Sequence, residues 1–484
     1  MNLSEMAFAG MLAALAATVF AALLVGRRGA QIVSGLGWVA ALGSLACAVG
    51  LGDRVSLAGG ALATGRLGAL LDVAITLVGA IVLSFGARQL REDPRRRLFL
   101  VAASSVIAGM VLVTVGSSWF VLVVGWLMAG WGFVVAHGLR RDLPGVARSF
   151  RRAVIALAVG DLALVVAALL AAGGPGALFA AGMVGDGRST LGLVAGLLIA
   201  VAVLSRAAQG PFAGWLPGTA ASPSPTGALL HAGVVNGGAI LLIRLRGAVP
   251  LPVLALVVVV GLGTSVVAGQ LLLRRPDLKG QLVFSTMAQM GFLVAACAVG
   301  AYLAALVHLV GHAWYKSNLL LSASGRIERT LVGTGRSTWY PWLVGLGAGI
   351  LWLVAPGADQ GRGAVVLALL VGIAGGALAV SLSGLGRLHR LGAAMAILSA
   401  ALVFGALVGM LDAWLGAITP RALVAPSPWW LLAVVPASLA AARLARLSRV
   451  DRALWRAALG LRAHTRDRQV ASLTPEWSLE EAAA

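Results

Sequence analysis

Charge is scarce in this chain: Asp, Glu, Lys and Arg make up 11% of its 484 residues, against 60% hydrophobic residues. A soluble domain of this size needs a larger charged surface, and the mean hydropathy of +0.96 excludes that class. Cysteine is scarcer still. Cys47 and Cys297 lie far apart within apolar runs, so neither a disulfide framework nor a cysteine metal site is spelled out, and packing is their simplest role. Period-two alternation is also lacking, which excludes a membrane β-barrel.

What is present is a succession of apolar runs, each long enough to cross a bilayer as a helix. The expected spans are roughly 7–26, 30–51, 67–87, 98–116, 118–136, 153–173, 190–208, 225–243, 251–273, 281–299, 301–324, 338–355, 363–384, 391–411 and 427–442. The expected fold is therefore all-α, a polytopic membrane protein of about 14–15 transmembrane helices. The first run has no basic n-region and is read as a retained helix rather than a signal peptide.

The formal net charge of +20 could point to nucleic acid, but its distribution points to a membrane. With fifteen spans and the N-terminus outside, 28 of the 37 Lys and Arg fall on inside segments and 7 outside. That is a strong positive-inside bias, and it predicts a cytoplasmic C-terminus. The Arg-rich tail from 443 to 484 is an expected cytoplasmic segment that can also touch anionic lipid.

The stretch Ala301–Lys316, AYLAALVHLVGHAWYK, puts His308, His312 and Lys316 four residues apart inside an apolar run. That spacing keeps them on one slowly drifting helix face. Ionisable groups in a membrane are expensive and by default face a protein interior or a water-filled path. Imidazoles and an amine in line are groups that can pass protons.

Interrupted helices are the second signal. In LSRAAQGPFAGWLPGTAASPSPT an apolar run reaches Arg206 and Gln209, then meets Pro211, Pro217, Pro223 and Pro225. Proline removes a backbone donor, and the freed carbonyls need other partners in lipid. Such breaks occur where backbone lines a cavity; an ordinary loop would account for the prolines from 217 onward but not for Arg206 and Gln209. Next, GALLHAGVVNGG carries His231 and Asn236 among small residues. A lone buried His is often only a packing residue, yet this one neighbours a broken helix and a second His/Lys helix. Then PDLKGQLVFSTMAQMGF has Asp277 and Lys279 at the inside boundary and Ser285, Thr286 and Gln289 within the membrane. These can order water or tie helices together.

The segments RAAQGPFAGWLP, SPTGALLHAGVVNGG, DLKGQLVFSTMAQMGF and AALVHLVGHAWYKSNLLLSASG resemble the core of the antiporter-like membrane subunits. These include the proton-pumping subunits of respiratory complex I, Mrp antiporter subunits, and DabB, the membrane subunit of the DAB inorganic-carbon transporters. The resemblance covers about 67–325 and divides the chain into N-terminal helices at 1–66, the translocation core at 67–325, C-terminal helices at 326–442 and the tail at 443–484. LHAGVVNGG is most similar to the DabB form, and no lysine follows Lys316.

The resemblance implies inverted repeats with broken helices and a proton path along a polar axis. Lys316 would be the central carrier, His308 and His312 its relay, and His231 its counterpart on the first-repeat break. Asp161 matches a family acidic position. The departures are specific: Leu127 stands where complex I subunits have Glu, Arg206 where the family has Lys, and Gly218 where an acid often follows Trp-Leu-Pro. Arginine is effectively never deprotonated, so Arg206 can serve only as a fixed charge, with Asp161 as candidate partner.

By the same resemblance, the chain would be a proton-conducting subunit in the prokaryotic cell (inner) membrane, coupling proton-motive force to carbon dioxide hydration. Hydration would belong to a soluble, zinc-containing DabA-like partner on the cytoplasmic face, with the loops 88–97 and 137–152 and the tail as docking candidates. The six His and two Cys form no zinc constellation, so the chain is expected to be no enzyme and to hold no cofactor. Two alternatives stand: a subunit of a respiratory NADH-quinone oxidoreductase or Mrp-type antiporter, and a membrane scaffold that no longer conducts.

Overall fold

The computed structural model describes residues 3–322 except 25–28, 52–53, 143, 182–191, 246 and 273–277, then 340–355 and 387–415, with a few residues between 368 and 379. Ten helices among them are long and apolar enough to cross a membrane. The chain begins with α1 (Leu3–Leu24) and α2 (Ala30–Gly50), and continues through α3 (Arg66–Gln89), α4 (Arg96–Val115), α5 (Trp119–His137) and α6 (Pro144–Ala172). Then come α7 (Leu193–Arg206), the short α8 (Ser224–Leu229) and α9 (Gly237–Arg244), α10 (Leu251–Leu272), α11 (Leu278–Ala298) and α12 (Tyr302–Ser322). The last described helices are α13 (Tyr340–Val354) and α14 (Arg387–Leu415). The expected span 427–442 and the tail lie outside the described residues, as does nearly all of 363–384.

The fold is the expected helical membrane fold with one short addition: β1 (Arg54–Leu57) pairs antiparallel with β2 (Leu62–Gly65) between α2 and α3. Gly59 and Gly60 take positive φ of 64° and 88° to turn this hairpin. The hairpin is pinned to the α4–α5 connection where Ser117 N–H donates to Ala61 O at 2.9 Å. Within the expected span 225–243, the break that the resemblance implies at His231 takes the form of a single π turn, Leu230–Val234, which separates α8 from α9.

Sequential helices pack side by side as hairpins, α1 with α2, α4 with α5, α6 with α7 and α10 with α11. Small residues permit the closest approach. A Cβ on Gly109 of α4 would come within 2.6 Å of Gly125 O on α5, so the two backbones touch. One core runs from Phe8 to Leu321, so the described residues before 67 pack into the same body as those after it. The helices α13 and α14 build a smaller cluster around Val344, Ala348, Ile397 and Ala401. Trp352 and Val408 join that part to Ala304 of α12.

The interrupted segment α8–π–α9 lies at the centre, in contact with α3, α4, α5, α7, α11 and α12. Irregular backbone at membrane depth is tolerable only when protein surrounds it in this way.

Candidate functional site

The break after α7 is closed by its own polar side chains. Ala208 adopts φ of 55° and Gly210 φ of 55°, which turns the chain out of helical geometry. Trp215 Nε1 donates to Ser205 O at 3.2 Å, satisfying a carbonyl freed at the helix end. Gln209 Nε2 donates to Ala207 O at 2.7 Å and across to Met287 O on α11 at 3.1 Å. Pro211 and Pro217 open two short 3-10 turns, 210–215 and 217–221. Pro223 and Pro225 stand at the start of α8, where a missing N–H costs nothing, so they begin a helix rather than break one.

His231 is carried by the π turn, whose wide ring closes from Val235 N–H to Leu230 O at 3.1 Å. Asn236 Nδ2 donates to the His231 carbonyl at 2.8 Å and so repairs the interruption from within. Single π turns of this kind often mark functional positions in membrane and soluble helices alike. The imidazole is buried, with 2% of the residue exposed.

From His231 a hydrogen-bonded line crosses to α12 and α11. His231 Nδ1 lies 3.3 Å from His312 Nε2, and His312 Nδ1 lies 2.8 Å from Gln289 Oε1. The two imidazoles meet edge to face with ring centroids 5.3 Å apart. Four residues further along α12, Lys316 Nζ donates to Leu282 O at 3.2 Å and to Ser285 Oγ. Ser285 and Gln289 are likewise four apart on α11, so the helices face each other as a two-rung ladder. An amine held by neutral oxygens can exist with or without its extra proton, and among the described residues no carboxylate pairs with Lys316.

The spacing on α12 predicts a direct relay from His308 through His312 to Lys316, and the side chains arrange differently. His308 stacks on His312 with centroids 6.1 Å apart, packs against Phe292, and leaves a buried Nε2 without a hydrogen-bond partner. Neighbours at i and i+4 stack along the helix rather than hydrogen-bond, and both His312 and Lys316 turn sideways to α11. Thr286 only bonds back to Leu282 O within its own helix, at 2.7 Å. Asp277 lies outside the described residues.

The second buried cluster centres on Arg206 at the end of α7. Arg206 Nη2 donates to Asp161 Oδ1 at 2.8 Å and to Trp126 O at 3.1 Å. Its guanidinium lies over the Trp126 ring, 4.0 Å from the centroid. A Cβ on Gly130 would come within 2.8 Å of the guanidinium nitrogens, so that glycine makes the room the arginine occupies. Gly218 is tighter still: a Cβ there would fall 2.0 Å from Ser149 Cβ, leaving no place for an acidic side chain. Gly218→Ala is accordingly expected to lower stability by about 1–3 kcal/mol, read as a fall in the unfolding temperature of the purified protein.

Two buried polar clusters had no counterpart in the sequence reading. Asp72, two turns into α3, accepts from Thr114 Oγ1 on α4 and lies within electrostatic reach of Arg244. Arg244 in turn donates to Gly116 O. His137, fully buried at the end of α5, hydrogen-bonds Ser222 and Ser149 through its two ring nitrogens. Lys279 Nζ reaches Ser222 O at 3.4 Å. Lys279 and Ser222 line a narrow cleft of about 20 Å³, room for about one water molecule, that His231 also lines.

On the face carrying residues 138–142, Asp142 clasps two loops through Arg95 at 3.2 Å and Arg140 at 3.3 Å. Desolvation raises its carboxyl, but its own backbone hydrogen bond and the Arg140 and Arg95 guanidiniums outweigh that and hold it below the ordinary carboxylate value.

Residues 116–336 match the family described as the transmembrane domain of NADH:quinone oxidoreductase and Mrp antiporters. One similar protein is the "Probable inorganic carbon transporter subunit DabB1" of Halothiobacillus neapolitanus, 29% identical over 344 residues, covering 64% of this chain and 62% of the relative. The corresponding DabB of Bacillus subtilis is 36% identical over 240 residues, 45% of each chain. The NADH-quinone oxidoreductase subunit L of Mycobacterium tuberculosis is 30% identical over 264 residues, 52% of this chain and 41% of the relative. The chain thus spans roughly half the length of these relatives. Among solved structures, the Mrp complex of Dietzia sp. DQ12-45-1b contains a chain with a TM-score of 0.61 and 22% identity, covering 98% of this chain and 58% of that one, a likeness of fold.

Proposed function

We propose that this chain, whose residues 116–336 match the antiporter-like membrane family of NADH:quinone oxidoreductase and Mrp subunits, conducts protons across the membrane. The observation that carries this reading is the buried line His231–His312–Gln289, alongside Lys316–Ser285, at a helix interruption wrapped by protein. Imidazole donates at one nitrogen while accepting at the other, so a proton can move along such a line without either ring leaving its place. Lys316 is the carrier, His231 and His312 the relay, and His308 a flank whose free nitrogen can take a proton from the stacked side. Arg206 and Asp161 are a fixed pair beside the path, not carriers.

The finer reading is an inorganic-carbon transporter subunit in a prokaryotic inner membrane, with N-terminus outside and C-terminus in the cytoplasm. The similarity to DabB chains supports it. Carbon dioxide hydration then takes place on a separate zinc-containing partner at the cytoplasmic loops, and this chain supplies the driving force. One charge crossing 100 mV releases about 2.3 kcal/mol, enough to bias a nearly balanced hydration toward bicarbonate. The similarity to subunit L favours a second reading, a proton channel within a respiratory or antiporter complex.

Complementation separates the two. In a carbonic-anhydrase-deficient bacterium grown in air, the chain and its genomic neighbour are expected to restore growth only together, and a protonophore to abolish it. Failure of the pair to rescue growth, with both proteins verified in the membrane fraction, would favour the respiratory or antiporter reading.

A further inference from the structure

We propose that His137, with Ser149 and Ser222, is a proton relay that feeds the cleft leading to His231. The inference rests on the proton-conducting reading above and adds the stretch between the loop face and the central histidines.

The geometry is a chain of exchangeable groups on three separate elements. His137 ends α5, Ser149 lies near the start of α6, and Ser222 precedes α8. The ring nitrogens contact Ser222 Oγ at 2.7 Å and Ser149 Oγ at 2.5 Å. All three residues are buried, with 0%, 4% and 3% exposed for His137, Ser149 and Ser222. The imidazole is held flat by Phe133, stacked at 5.8 Å with 1° between ring planes. Ser149 is fixed in turn by the absence of a side chain on Gly218, against which it packs.

Either neutral tautomer leaves one ring nitrogen as donor and the other as acceptor, and a hydroxyl is both at once. As Ser149 Oγ takes up a proton from the loop side it passes its own to Nε2, the ring releases its Nδ1 proton to Ser222 Oγ, and the Ser222 hydrogen moves on toward the cleft. One proton enters and one leaves, and the ring, left protonated at Nε2, must reorient together with the two hydroxyls before the next pass. Ser222 opens directly on the cleft that Lys279, Ser224 and His231 share. Beyond it stands the His231–His312 contact. The charged groups near the outer end are Arg148, Arg151 and Arg152, with Arg152 donating to Gly214 O at 3.5 Å. They are fixed cations and cannot carry protons themselves.

A purely structural latch would use the same hydrogen bonds, so the test needs a readout that a latch does not move. Potential-driven proton uptake is measured in liposomes containing the chain co-purified with its partner. His137→Gln keeps a donor and an acceptor but cannot relay. It is expected to cut uptake at least about 10-fold while the unfolding temperature stays near wild type. Ser222→Ala, which removes only one hydroxyl, is expected to do the same. His137→Ala is expected to lose uptake and to regain much of it when imidazole is added. Wild-type uptake in both His137→Gln and Ser222→Ala would overturn the inference while leaving the conducting role of the chain intact. Loss in His137→Ala with no imidazole rescue, together with normal uptake in Ser222→Ala, would also overturn it in favour of a latch. A wild-type complex that takes up no protons would overturn the conducting reading itself, and this inference with it.

Discussion

Lys316→Ala is expected to reduce proton conduction by about 100-fold or more and to abolish growth in the complementation assay, with little change in the amount of protein in the membrane. The side chain is buried at 2% exposure, and among the described residues its amine hydrogen-bonds Leu282 O and Ser285 Oγ. Removing it therefore leaves no orphaned buried charge, only one hydroxyl that can still bond to Leu282 O at 2.9 Å. The fold has little reason to fail, whereas a proton line that needs an amine at this rung has no substitute within reach. Lys316→Arg is expected to be nearly as damaging, because a guanidinium holds its proton and turns a carrier into a fixed barrier. Conduction at wild-type rate in Lys316→Ala would remove the residue from the path.

The second large effect is structural. Asp161→Asn leaves Arg206 charged, buried at 1% exposure and without its carboxylate. Breaking one side of such a pair is expected to cost about 3–5 kcal/mol, read as a marked drop in unfolding temperature. The double variant Asp161→Asn with Arg206→Gln removes both charges and is expected to recover most of that loss, in stability and in conduction. The remaining deficit should be small, since the Trp126 carbonyl can accept from a glutamine amide as it does from the guanidinium. If Arg206→Gln alone behaved as wild type in both measurements, the pair would have no role.

Much of this arrangement was legible in the sequence because charge is so costly in apolar runs. Lys316, His312, His231 and Arg206 each stood out as an ionisable group where a membrane helix should have none, while Asp161 entered through the family resemblance. The helix break was legible from Pro211 and Pro217, which cannot continue a hydrogen-bonded ladder. Its form was not: the π turn at Leu230–Val234 has no proline and depends on the cap that Asn236 supplies from five residues away. The spacing of His308, His312 and Lys316 gave a shared face, but spacing on one helix says nothing of the partner. The hydrogen bonds run across to Gln289 and Ser285 of α11 instead of along α12. His137 was hidden by its position beside Arg140 and Arg141, where a histidine reads as a boundary residue. Asp72 carried the same signal, an acid within the apolar run 67–87, but nothing nearby in the sequence gave it a role: its partner Thr114 is on another helix, 42 residues away.

The central claim is that this chain carries protons through the membrane, and the most direct measurement is potential-driven proton uptake. Liposomes holding the chain with its co-purified partner are loaded with a pH-sensitive dye, and a potassium diffusion potential, negative inside, is imposed. The account predicts internal acidification whose rate rises with the potential, exceeds that of empty liposomes, and persists when sodium is replaced by choline. Uptake no faster than in empty liposomes, or a flux that requires sodium, would contradict it.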